Sequence, residues 1–96
     1  MRPSEALTLH RETIRRLALS RRAVNPRVFG STARGEDVEG SDLDILVDPL
    51  PGATLFDLGL LFEELKAELG VGIDLITVRE LPPRIRERVL AEAKPI

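Results

Sequence analysis

The chain has 96 residues, 43% hydrophobic and 31% charged, which suits one small globular domain and is too apolar for a disordered segment. Its zero cysteines exclude disulfides, thiolate zinc sites and cysteine nucleophiles, and its single histidine, His10, excludes a histidine metal cluster. The net charge of −2 is segregated: residues 1–35 carry eight arginines against Glu5 and Glu12, residues 36–80 carry twelve acids against Lys66 and Arg79, and the last stretch is basic again. No apolar run reaches the ~20 residues of a membrane span and no signal-peptide pattern opens the chain, so a cytoplasmic protein is expected.

Taken in chain order, Ser4 can cap a first helix running to about residue 20, with Leu7, Ile14, Leu17 and Ala18 on one arc. His10 falls in that arc and reads as a boundary or core histidine rather than a catalytic base. Arg21 would intrude on the arc, so the helix should have ended by then. Asn25-Pro26 marks a break, and Arg27-Val28-Phe29 reads as a short strand running into Gly30. Residues 31–35 look like a tight turn into one helical turn, and the acidic stretch 36–41 like a loop.

Leu43 to Val47 is a second strand, ended by Pro49 and Pro51. Thr54-Leu55-Phe56-Asp57 fits a capping box for a further helix. Its buried stripe should be Leu55, Leu58, Phe62, Leu65 and Leu69, with Gly70 just past its end. Val71 to Val78 reads as a third strand covered on both faces. Pro82 or Pro83 opens a last helix carrying Ile85, Val89, Leu90 and Ala93. The order α-β-α-β-α-β-α predicts a small α/β sandwich, a mixed three-stranded sheet with helices packed on it.

The chemistry has to come from carboxylates, hydroxyls, arginines and backbone amides. Asp42 and Asp44 lie two apart in an extended segment, so both side chains leave one face while Leu43, Ile45 and Val47 leave the other. Two such acids are either solvated or neutralised by a cation, and for an isolated pair a solvated strand end is the commoner case. Asp74 interrupts a strand that otherwise wants burial, where a lone ionised carboxylate is costly unless it is paired or metal-bound. If the second and third strands are neighbours, Asp74 joins Asp42 and Asp44 as a third ligand. Carboxylates without His or Cys suit Mg²⁺ or Mn²⁺. Asp48 has the same parity but lies roughly 20 Å further along the strand and is left out.

Gly30 and Ser31 follow a strand and begin a helical turn, so backbone amides and the Ser31 hydroxyl can face a phosphate, with Arg34 adding a cation. Neither the P-loop pattern nor the dinucleotide fingerprint is present.

Gly30-Ser31-Thr32-Ala33-Arg34-Gly35, then Ser41-Asp42-Leu43-Asp44, then Asp74 resembles the nucleotidyltransferase superfamily that includes DNA polymerase β. The resemblance spans nearly the whole chain from Val28 onward, with ten residues between Ser31 and Asp42. Within it, the chain looks closest to the minimal nucleotidyltransferase proteins, the antitoxin partners of HEPN-domain ribonuclease toxins. The resemblance implies that Gly30, Ser31 and Arg34 hold the phosphates of ATP, and that Asp42, Asp44 and Asp74 are catalytic residues that bind two Mg²⁺ ions.

It further implies AMP transfer to a tyrosine hydroxyl of the toxin, with no side-chain nucleophile. Phe29, Phe56 and Phe62 read as core, so a nucleic-acid stacking platform is not expected. So short a chain leaves no added acceptor domain, so a partner is expected to supply the acceptor, and a homo-oligomer is also open. Two rivals stand beside this reading: a non-catalytic antitoxin that masks its partner sterically, and a nucleotidylyltransferase for a small hydroxylated compound.

Overall fold

A computed structural model describes residues 1–96. Helix α1 spans Pro3–Ser20. It starts one residue before Ser4, because Pro3 is preorganised for the first helical position. The predicted Ser4 cap is therefore replaced. The Ser4 N–H donates to Asp37 Oδ2 at 2.8 Å, so the cap arrives from the loop 33 residues away. That bond holds the Asp37 carboxyl below the usual carboxylate range. His10 is half-buried and sits where α1 bends, with φ −124° and ψ 22°. Arg21 closes the helix and its guanidinium clasps Glu64, with bonds of 2.9 and 2.8 Å.

Strand β1 is Ala23–Phe29, longer than expected, and it runs through Asn25-Pro26 instead of starting after it. The register against the next strand slips between Val24 and Arg27, and Asn25 has φ 54°. A bulge of this kind accepts proline inside a strand, which is why the dipeptide breaks pairing without ending the element. The four-residue helix α2, Gly30–Ala33, follows directly. Strand β2 is Leu43–Pro49.

Helix α3 is Leu55–Leu69 and opens with the predicted box: Asp57 N–H donates to Thr54 Oγ1 at 3.1 Å, and Thr54 N–H donates to Asp57 Oδ2 at 3.0 Å. It ends at Gly70. Its buried line is Leu61, Leu65 and Leu69, with Leu58 and Phe62 partly covered. Leu55, expected in that line, and Phe56, expected in the core, are 87% and 74% exposed, because the first turn of α3 precedes the stretch that packs on the core.

Strand β3 is Ile73–Thr77, shorter than the expected 71–78, and a 3₁₀ turn at Val78–Glu80 takes its end. Helix α4 is Pro83–Glu92; Val89 is buried, whereas Leu90 is largely exposed rather than packed. The last element, β4 at Lys94–Pro95, pairs antiparallel with Arg27 and Val28. The sheet thus has four strands rather than three, in the order β3-β2-β1-β4. β2 is antiparallel to β1 and parallel to β3, the α3 crossover lying between the parallel pair.

Alternation along β2 divides the interior. Leu43, Ile45 and Val47 face α1 and α3 and are essentially inaccessible, packed with Ile14, Leu61 and Leu65. Leu46 faces the other way, into a smaller cluster with Phe29, Leu81 and Val89. α4 covers only part of that second face. The start of β2 and β3 is left open there. No helix is long and apolar enough to cross a membrane.

Candidate active site

The open part of the second face carries Asp42, Asp44 and Asp74. Asp44 and Asp74 are register partners across the parallel β2–β3 pair, so both side chains leave the same face side by side. Phe29, the last residue of β1, is the antiparallel partner of Asp44, which puts Gly30 beside the Asp44 carboxylate. A Cβ at Gly30 would collide with Asp44 Oδ2, and Gly30 also has φ 69°, so only glycine fits the start of the turn. Gly72 plays the matching part for Asp42: a Cβ there would meet Asp42 Oδ1. Sequence reasoning missed Gly72, which fell inside the expected 71–78 strand as an ordinary glycine.

The electrostatics follow from the crowding. The Asp44 carboxyl is pushed up to about 6 by burial first, then by the charges of Asp74 and Asp42 and a hydrogen bond with Asp74; Arg34 opposes the shift. Asp42 and Asp74 are exposed and Asp44 is half-buried. No three Asp, Glu or His side chains converge as a ready-made ligand set. The expected three-carboxylate set is therefore not preformed, and a Mg²⁺ bound here would use one or two of the carboxylates completed by substrate phosphates. All-oxygen donors, mutual repulsion and an outer end open to solvent fit a hard divalent cation brought with a nucleotide.

The turn differs from expectation at Arg34. Its guanidinium is not free: Nε donates to Glu36 Oε1 at 2.8 Å, and Nη1 donates to Glu92 Oε1 and Oε2 at 3.3 and 3.2 Å. Glu92 Oε1 also accepts the Gly30 N–H at 3.0 Å. Ser31 is half-buried on α2, and its carbonyl accepts the Glu36 N–H at 2.8 Å, which curls the chain away from the turn. Asp48 belongs elsewhere, paired with Arg27 at 2.7 Å and Asn25 at 3.0 Å. The loop from Glu36 to Ser41 is pinned by Asp37 to α1 and delivers Asp42 to the start of β2.

A surface depression lies away from these acids, between the first half of α3 and the outer edge of β3, lined by Leu55, Leu58, Phe62, Leu75 and Ile76. The acids themselves stand at an open end of the sheet.

Comparison with known proteins agrees with this arrangement. The nucleotidyltransferase domain family matches residues 10–96. Protein adenylyltransferase MntA of Thermococcus cleftensis is 45% identical over 65 residues, which cover 68% of this chain and 66% of that protein. A solved structure described as a minimal nucleotidyltransferase superposes with a TM-score of 0.87 at 47% identity, covering 97% of this chain and 95% of the other. A crystal structure of a toxin–antitoxin complex with AMP-PNP shares the fold, with a TM-score of 0.73 at 22% identity over 88% of this chain and 69% of the other. An enzyme fold with carboxylates facing a glycine-led turn, matched along nearly its whole length, places this chain in the nucleotidyltransferase domain family.

Proposed function

We propose that this nucleotidyltransferase moves AMP from ATP to a tyrosine hydroxyl of a HEPN-domain ribonuclease toxin in the cytoplasm, and so acts as its antitoxin. The observation that carries the reading is the placement of Asp44 opposite Asp74 and against Gly30, which brings the acids and the turn to one point of the sheet. The name of the Thermococcus relative supports protein as the acceptor class, and the toxin–antitoxin complex with AMP-PNP, of the same fold, fits a toxin partner and a nucleoside triphosphate. Leu55 and Phe56, 87% and 74% exposed at the start of α3, offer an apolar surface to a protein partner.

Asp42 and Asp44 would hold two Mg²⁺, with Asp74 beside them as a further ligand. Bound there, the metal supplies charge neutralisation for the phosphates and acidifies the attacking hydroxyl. Gly30 lets the backbone approach the triphosphate, and the Ser31 hydroxyl donates to a phosphate oxygen. The acceptor oxygen forms a bond to the α-phosphorus while the bond to the β-phosphate oxygen breaks. Pyrophosphate leaves, and the hydroxyl proton passes to the exposed Asp74 carboxylate. Atoms and charge balance without a side-chain nucleophile.

The test is intact-mass analysis of a helical partner from the neighbouring reading frame after incubation with this protein, ATP and Mg²⁺. An added AMP mass on a tyrosine, absent with Asp42→Asn/Asp44→Asn, is the expected result. Neutralisation of the partner by that double variant would show masking instead and overturn the proposal.

A further inference from the structure

The Glu92 carboxylate is bound in a way that neither the turn nor the acids account for by themselves. It is the last residue of α4, 62 positions from Gly30, and it accepts from both the Gly30 N–H and the Arg34 guanidinium. Two residues later β4 begins, pairing Lys94 with Val28. Glu92 therefore continues the β4 side of β1 past the point where main-chain pairing stops, and its carboxylate replaces the acceptor a longer strand would supply. Asp44 reaches Gly30 from the opposite, β2 side. The start of the turn is held between two carboxylates on opposite flanks, and Glu92 does not stand on the flank where the acids meet the substrate.

We infer that Glu92 is a positioning residue for the nucleotide: it braces the Gly30–Ser31 turn and fixes Arg34 from behind. This rests on the reading that the turn holds the triphosphate. A helix of four residues cannot hold its own shape, so its first amide needs an external partner. Glu92 is that partner, and it makes α4 part of the nucleotide site although no α4 side chain joins Asp42, Asp44 and Asp74. Removing the carboxylate frees the Gly30 N–H and leaves Arg34 to Glu36 alone. The turn then has to be ordered at the expense of nucleotide binding.

The experiment is calorimetric titration of ATP with Mg²⁺ into the full chain carrying Glu92→Ala, Glu92→Gln or Ser31→Asp, with the Gly30 amide resonance followed in parallel. Glu92→Ala should weaken ATP binding about 10-fold and move the Gly30 amide; Glu92→Gln, whose amide oxygen still accepts from Gly30, should weaken it about 3-fold. In turnover the loss should appear in KM with kcat nearly unchanged, a split that a general loss of folding does not produce. If Glu92→Ala is unfolded by circular dichroism, Glu92→Gln alone decides. Unchanged or tighter ATP binding in the Glu92 variants, with Ser31→Asp impaired, overturns the positioning role and leaves the nucleotide reading standing. Unchanged binding in Ser31→Asp overturns both.

Discussion

The two faces of β2 are built from alternate residues of one short strand, yet they obey opposite rules. On the face toward α1 and α3, Leu43, Ile45 and Val47 are sealed within the main apolar cluster. On the face toward α4, Leu46 is sealed, but Asp44 and Asp42 stand two and four residues before it with Asp74 alongside. The first face lowers the free energy of the fold by removing hydrocarbon from water. The second raises it by gathering like charges where burial already disfavours them. A period of two lets one strand do both without compromise, since a residue cannot drift from one face to the other without a register slip.

Breaking each face in turn should separate stability from chemistry. The largest effect is expected from Ile45→Ala, which opens a cavity in the sealed face and should cost about 2–5 kcal/mol, read as a lower denaturant midpoint at unchanged slope. Asp44→Asn should do the reverse. It should lower AMP transfer by about 10²-fold or more, beyond the usual loss from disturbing a metal's outer partners, and raise Tm by relieving the crowded acids. An Asp44→Asn protein that is less stable than the parent would refute the contrast between the faces.

The same crowding sets a pH dependence. Asp44 titrates near 6 in the fold against 3.8 as its ordinary value, so the folded state binds the proton more tightly than the unfolded state. Stability from this group is therefore full below about pH 4 and is lost as pH rises toward 6 and past it. Melting curves of the cation-free protein should show Tm falling by a few degrees across that window relative to Asp44→Asn, with Mg²⁺ restoring it at pH 7. The smallest effect belongs to the remote cap. Asp37→Ala should cost about 1 kcal/mol by freeing the Ser4 N–H, and hydrogen exchange should rise in the first turn of α1.

What the sequence made legible is whatever depends on short spacings. The capping box at Thr54 and Asp57, the helix end at Arg21 and the common face of Asp42 and Asp44 all involve residues within a few positions of one another. The neighbourhood of Asp44 and Asp74 was within reach only on the condition that the second and third strands were neighbours, which the parallel pairing supplies. Long-range features were hidden. Ser4 looked like a cap because Asp37 lies 33 residues away, and Arg34 looked like a free cation because Glu92 lies 58 away. β4 is two residues long and contains a proline, so no alternation announces it. Leu55 carried the right spacing for the core, but spacing does not say where a helix leaves its neighbours.

The pairing of β4 with β1 has a consequence in time. Residues 94 and 95 close on residues 28 and 27, a loop spanning most of the chain, and contacts of this separation are among the slowest for a folding chain to find. During synthesis β1, α2 and β2 emerge well before α4 and Glu92, so the sheet can begin to assemble around a turn that still lacks its rear support. Glu92, which braces the turn, and Ile96, which completes the main core, therefore both arrive at the end of synthesis. The last few residues of the chain thus complete the interior and the rear of the turn together.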